Sequence, residues 1–181
     1  MPKYFGENSR IRPYLVTCCS FLSLLSAVCI AASASLAGAE ELPGLAVADF
    51  DFRDTSGEVR DQTAEHDARL EMFGISLRDG ISDGEKTKLV TLPCQAQHCS
   101  ANHIGLRTIA AQARKANVRY LLFGEIHKMS TLVGWVKFAM VDLNKNEPIC
   151  DRFLTYRGDT DEAWRRAAKF TARDIVKYCL P

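Results

Sequence analysis

The apolar and polar positions change period several times along the chain. GLAVADFDF, residues 44–52, reads as a first strand. In EHDARLEMFGISLRDGISDG, residues 65–84, Leu70, Phe73, Leu77 and Ile81 share one helical face, and Gly84 is a stop signal. TKLVTLP is a short second strand closed by Pro93, and CQAQHCSANH is a loop. IGLRTIAAQARKAN is a second helix, with Leu106, Ile109, Ala113 and Ala116 inward and Asn117 near its end. Three strands then follow in close succession: VRYLLFGEIHKMS, LVGWVKFAMVDL and ICDRFLTYRG. In the middle one, Val133, Trp135, Lys137, Ala139 and Val141 lie on one side, and Leu132, Gly134, Val136, Phe138, Met140 and Asp142 on the other. Connections this short fit antiparallel neighbours, because a parallel crossover needs a dozen residues or more. The last helix is DTDEAWRRAAKFTARDIVKYCL, with a stripe of Trp164, Ala167, Ala168, Thr171, Ile175 and Tyr178. Asp159 and Glu162 have the spacing of a capping box at its start. The order βαβαβββα predicts an α/β (α+β) domain with a single mixed sheet and helices packed on it.

The N-terminus lies outside this pattern. Lys3, Arg10 and Arg12 form a basic region, and residues 13–39 carry no charge. The apolar run ends in small residues, with Ala37-Gly38-Ala39 as a cleavage site before Glu40 and Ala32-Ser33-Ala34 as a second. Residues 1–39 therefore read as a secretory signal peptide and residues 40–181 as one domain. The rival is an inner-membrane anchor through an uncleaved segment, residues 13–36, which is long enough to span a bilayer. The expected location is the periplasm, with no membrane span left after cleavage.

Composition narrows the function classes. Apolar content of 47% and charged content of 25% are those of a globular chain. A net charge of +1, with no basic stripe, argues against a nucleic-acid partner. Of seven cysteines, four follow the signal: Cys94, Cys99, Cys150 and Cys179. An even number in an oxidising compartment predicts two disulfides. Three pairings can be drawn, of which Cys94–Cys99 with Cys150–Cys179 is the simplest.

LAVADFDFRDTSGEV holds Asp49 and Asp51 at the end of an apolar run. A haloacid-dehalogenase-like phosphatase would use the first as nucleophile and the second as general acid. The residues after Asp51, Phe52 and Arg53, depart from that pattern. Asp54 and Ser56 supply ordinary turn chemistry. LAVADFDFRDTSG, ANVRYLLFGEIHKM and FAMVDLNKNEPICD together resemble the periplasmic domain of curli-secretion-lipoprotein-like proteins and the N-terminal domain of the Tol-Pal propeller protein. The whole chain resembles an exported bacterial family of unknown function, with LLFGEIHKMSTLV and RGDTDEAWRRA its most distinctive segments. That resemblance implies an envelope-assembly or interaction module. It brings no catalytic residues.

Other clusters are weaker. Cys94, His98, Cys99 and His103 offer four metal ligands within ten residues, so a metal- or small-ligand-binding protein is a further alternative, but their spacing fits no standard finger. His127, beside Lys128 and near Glu125, has the residue type of a general base but more often is a surface residue. His66 reads as part of a solvated, charged face. Arg157, Asp159, Asp161, Trp164 and Arg165 form the best candidate for a recognition surface, although Trp164 also lies on the apolar stripe of a core helix. No phosphate-binding or dinucleotide motif is present in the sequence. The reading is therefore a periplasmic domain, monomeric or in a loose complex, that needs no cofactor and binds an envelope or periplasmic protein partner.

Overall fold

β1 (Gly44–Val47) and β2 (Asp51–Asp54) are two pieces of the predicted first strand, interrupted where the aspartates begin. Both pair in parallel with β4 (Tyr120–Lys128) in this computed structural model, which describes residues 41–94 and 98–181. Val47 is opposite Leu122 and Asp51 opposite Glu125, so the chain takes one residue more than β4 between these pairs. That bulge inverts the alternation. Leu45 and Val47 face the main core before it, and Phe50 and Phe52 face the same core after it. An unbroken strand would have continued inward with Asp49 and Asp51 instead.

β4 is the centre of one mixed sheet, in the order β3-β1-β4-β5-β6, with β2 continuing beside β4. β5 (Val133–Asp142) and β6 (Glu147–Arg157) are antiparallel to their neighbours. β3 is only Lys88–Leu89, shorter than the predicted 87–93, and pairs in parallel with β1. The turn after β5 is built by Asp142, whose Oδ1 accepts from the Asn144 and Lys145 amides at 2.9 and 3.2 Å.

α1 (Thr63–Ser82) and α3 (Asp161–Tyr178) cover one face of this sheet. Phe73, Leu77 and Ile81 from α1 meet Trp164, Ala168 and Ile175 from α3 over Leu45, Leu122, Ile126, Val136, Phe138 and Met140. α2 (Leu106–Lys115), entered through a π-helical turn (Ala101–Gly105), covers part of the other face. Its Ile109 and Ala113 pack on Ala46, Ala48 and Leu121. The main core has one point of backbone contact that only glycine permits. A Cβ on Gly124 would lie 2.6 Å from the Lys137 carbonyl oxygen and 2.5 Å from the Phe50 ring.

The mixed α/β sheet matches the sequence reading, and four local expectations are corrected. Thr160, not Asp159, caps α3: its hydroxyl accepts from the Ala163 amide at 3.2 Å. Glu162 is then one position too early to reach back to the cap, and pairs with Arg165 instead. Tyr178 is exposed in the last turn of α3, and Leu106 is partly exposed at the start of α2. His66 is buried rather than solvated, because α1 begins under the α3 N-terminus. The signal-peptide and anchor expectations for residues 1–39 lie outside the described residues.

Candidate functional site

Asp49 and Asp51 are engaged within the protein. One Asp49 oxygen accepts from Arg78 Nη2 at 2.8 Å and the other from the Cys99 amide at 2.8 Å. The same Arg78 nitrogen donates to the Val47 carbonyl at 3.1 Å. Asp51 Oδ2 accepts from the Asn102 amide at 3.1 Å. The two acids thus fasten the bulge to the segment leading into α2. Neither shares a hydrogen bond or ion pair with Asp159 or Asp161, which follow an antiparallel strand. This geometry gives the phosphatase alternative no support.

The two most distinctive sequence segments do meet, at a buried charge cluster. Lys128 follows Leu122 and Ile126 in the core-facing register of β4 and is only 1% exposed. Its Nζ lies 2.9 Å from Asp159, 3.5 Å from Asp54 and 3.4 Å from Gln62 Oε1, and donates to Glu58. Asp159 also accepts from His66 Nε2 at 3.0 Å and from Trp164 Nε1 at 2.9 Å, and lies 3.2 Å from Arg69. Arg69 reaches on to Asp161 at 2.8 Å. Burial alone would raise the Asp159 carboxyl, but hydrogen bonds from Lys128, His66 and Trp164 outweigh it and hold the pKa at about 2. Burial would likewise lower Lys128, and its bonds to Glu58 and Asp159 instead raise it above the usual lysine value. A lysine held protonated among carboxylates is no base or nucleophile. The cluster is a fastening: it joins β4, the start of α3, the start of α1 and the loop carrying Glu58.

The recognition candidates separate accordingly. Trp164 has no exposed surface and is a core residue, and the largely covered Asp159 carboxylate is taken up by the cluster. Arg157, Asp161 and Arg165 are on the surface, Asp161 and Arg165 in ion pairs.

The cysteines lie at disulfide distance as Cys94–Cys99 and Cys150–Cys179, with Cα separations of 5.8 and 5.4 Å. The first pair takes up both sulfurs of the alternative metal set, leaving His98 and His103 with ring centroids 6.3 Å apart. Among the described residues no group of three or more ligands is assembled for a metal. The second pair ties β6 to the residue after α3. Cys150→Ser together with Cys179→Ser is expected to lower unfolding free energy by about 3–4 kcal/mol, because the bond closes a sequence separation of 29 residues. Urea unfolding of oxidised and variant protein checks it.

Sequence reasoning missed the sheet surface beyond α2. Arg53, Glu125, His127, Trp135, Lys137, Phe153 and Thr155 lie there, half-buried or exposed. Trp135 is at its centre. His127 meets it edge-on at 4.7 Å, Phe153 packs beside it at 5.4 Å, and the Arg53 guanidinium lies 5.8 Å from its ring. His127 Nε2 is 2.6 Å from the Thr55 hydroxyl, and Arg53 pairs with Glu125 at 2.8 Å. Phe153 is 58% exposed. The face thus gathers Trp135, Phe153 and Arg53, residue types enriched at protein interfaces in general. The sequence signal was available: Trp135 and Phe153 both fall on the side of their strands opposite the core.

Comparison with known proteins agrees with this architecture. Two PelC dodecamer structures from Paraburkholderia phytofirmans superpose with TM-scores of 0.50 and 0.51 at 13% identity, over 77% of this chain and 90% and 89% of theirs. The LpoB C-terminal domain from Salmonella enterica gives 0.46 at 15% identity, over 66% of this chain and 85% of that domain. TolB from Acinetobacter baumannii gives 0.46 at 14% identity, over 77% of this chain and 28% of that one. None of the curated proteins matches the chain. Residues 43–176 match the family model DUF3280, described as a protein of unknown function (DUF2380), and the chain belongs to that family.

Proposed function

We propose that the protein is an exported, periplasmic, non-enzymatic module of the cell envelope, and that it binds a protein partner through the open sheet face around Trp135 and Phe153. The observation that carries this reading is the uncovered aromatic surface on an otherwise well-packed sheet. Export is supported by the basic, apolar and small-residue order of residues 1–39 and by the even number of later cysteines. Among the described residues no helix is long and apolar enough to cross a membrane. The fold is that of PelC, which is known as a dodecamer, so the same architecture serves assembly elsewhere. The buried cluster and the two disulfides make the support beneath the face stiff, which lowers the ordering cost of binding. Capture of a partner by crosslinking in intact cells tests the reading, with Trp135→Ser and Phe153→Ser as the variants that should abolish it.

A further inference from the structure

β6 is the edge of the sheet. Its strand partner is β5 alone among the described residues, and none of its eleven residues is buried. The Gly158 amide donates to the Leu132 carbonyl at 3.0 Å, one step beyond the Val133–Arg157 pair. Hydrogen-bonded and non-hydrogen-bonded pairs alternate along an antiparallel ladder. Arg152, Leu154 and Tyr156 therefore bond β5, while Asp151, Phe153, Thr155 and Arg157 turn their N–H and C=O groups outward. Natural edges are blunted by proline, lysine, bulges or covering elements. Here Pro148 and the register shift opposite Met140 and Val141 blunt only the first residues of the strand. Residues 150–157 carry no proline, lysine or register shift, and their charges are Asp151, Arg157 and the Arg152 held by Asp174.

We infer that this edge pairs, antiparallel, with the same edge of a second copy. The register is set by charge. Centred on Leu154, the pairing places Asp151 directly opposite the second copy's Arg157, and by symmetry does so twice. Both residues are exposed, and neither has an ion pair or side-chain hydrogen bond among the described residues. Leu154 meets its own copy at the centre. Phe153 lies opposite Thr155 and diagonal to the other Phe153, within aromatic reach. Centring on Phe153 instead would leave both charges without opposites, and centring on Arg152 would set two arginines face to face. A seven-residue edge contact is smaller than a standard interface, so the dimer is weak and concentration-dependent. It joins two open faces into one continuous sheet surface, and in that respect rests on the reading of this face as the interaction surface.

Sedimentation of the protein, expressed from the full-length sequence and purified after export, tests the pairing. Wild type is expected to pass from monomer to dimer with concentration. Asp151→Arg alone and Arg157→Asp alone are each expected to weaken association by about tenfold or more, since like charges then oppose twice. Mixing those two variants restores a dimer, because one chain then carries only arginine at the two positions and the other only aspartate. Thr155→Pro, which removes an outward N–H and no bond to β5, is expected to abolish association without unfolding. A wild type that stays monomeric at the highest concentration reached, or single variants that associate as wild type does, overturns the inference. A monomer that still captures an envelope partner through Trp135 sinks the self-pairing alone. A dimer with no partner sinks the proposed function alone.

Discussion

Asp159→Ala is expected to lower the unfolding free energy by about 3–5 kcal/mol, because several buried donors lose one shared acceptor. The substitution strips Lys128, His66 and Trp164 of a shared acceptor at once. Lys128 would keep Glu58 and Asp54, both reached from more exposed positions. By contrast, Arg165→Ala breaks only the exposed pair with Glu162 and is expected to cost less than about 0.5 kcal/mol. Chemical denaturation of the three proteins measures the difference. The same carboxylate predicts acid sensitivity. Its folded pKa, about 2, lies below the ordinary value of 3.8, so its stabilisation is complete above that ordinary value and fades as pH falls through the folded value. Wild type should therefore lose stability between about pH 4 and pH 2 more steeply than Asp159→Ala does.

Trp164→Ala is expected to cost a further large amount, about 3–5 kcal/mol, as the emptying of a buried aromatic site. The ring is fully buried and packs within 5.4 Å of Phe52, 6.2 Å of Tyr156 and 6.4 Å of Phe73. Because its indole N–H donates to Asp159, the loss in the double variant should fall short of the sum. Trp164→Phe separates the two contributions by keeping most of the packing and deleting the hydrogen bond. That variant also tests the residue as a recognition element: at 0% exposure it should leave partner capture unchanged. Trp135→Phe, on the open face, is the comparison.

Much of the fold was legible because its periods are long and regular. The β5 alternation puts Val136, Phe138 and Met140 on one side of the strand, and the structure buries that side. Antiparallel pairing of β4, β5 and β6 followed from turn length alone. The failures have one physical source, which is that tertiary partners decide what a polar residue does. Asp159 has the type and position of a helix cap, but Lys128, His66 and Trp164 outbid the α3 amides for its oxygens, and Thr160 takes the cap. The D-x-D spacing implied two acids on one strand face. The bulge at Asp49 is not encoded by any glycine or proline, and it replaces them inward with Phe50 and Phe52. The cluster left one trace in the sequence: a lysine standing two residues after Ile126 in a core register. The simplest cysteine pairing among the three drawn is the one whose Cα distances fit.

The site was less legible than the fold. In the segments that looked most distinctive, Lys128 and Asp159 hold the molecule together, while Glu125, His127 and Arg157 lie on the open face or its edge. The exposed face around Trp135 and Phe153 was hidden in strands whose apolar alternation drew attention to the core. Trp135 and Phe153 sit on different strands, opposite Thr155 and Lys137, and only the β5–β6 register brings their rings together.

Crosslinking in intact cells of the native host, with the tagged full-length protein and mass spectrometry of the envelope fraction, tests the central claim most directly. The account predicts one abundant, reproducible envelope protein captured by wild type and by Trp164→Phe, and lost in Trp135→Ser and Phe153→Ser proteins whose folded stability is retained. No partner above background with wild type, or a partner captured equally by the face variants, would contradict it.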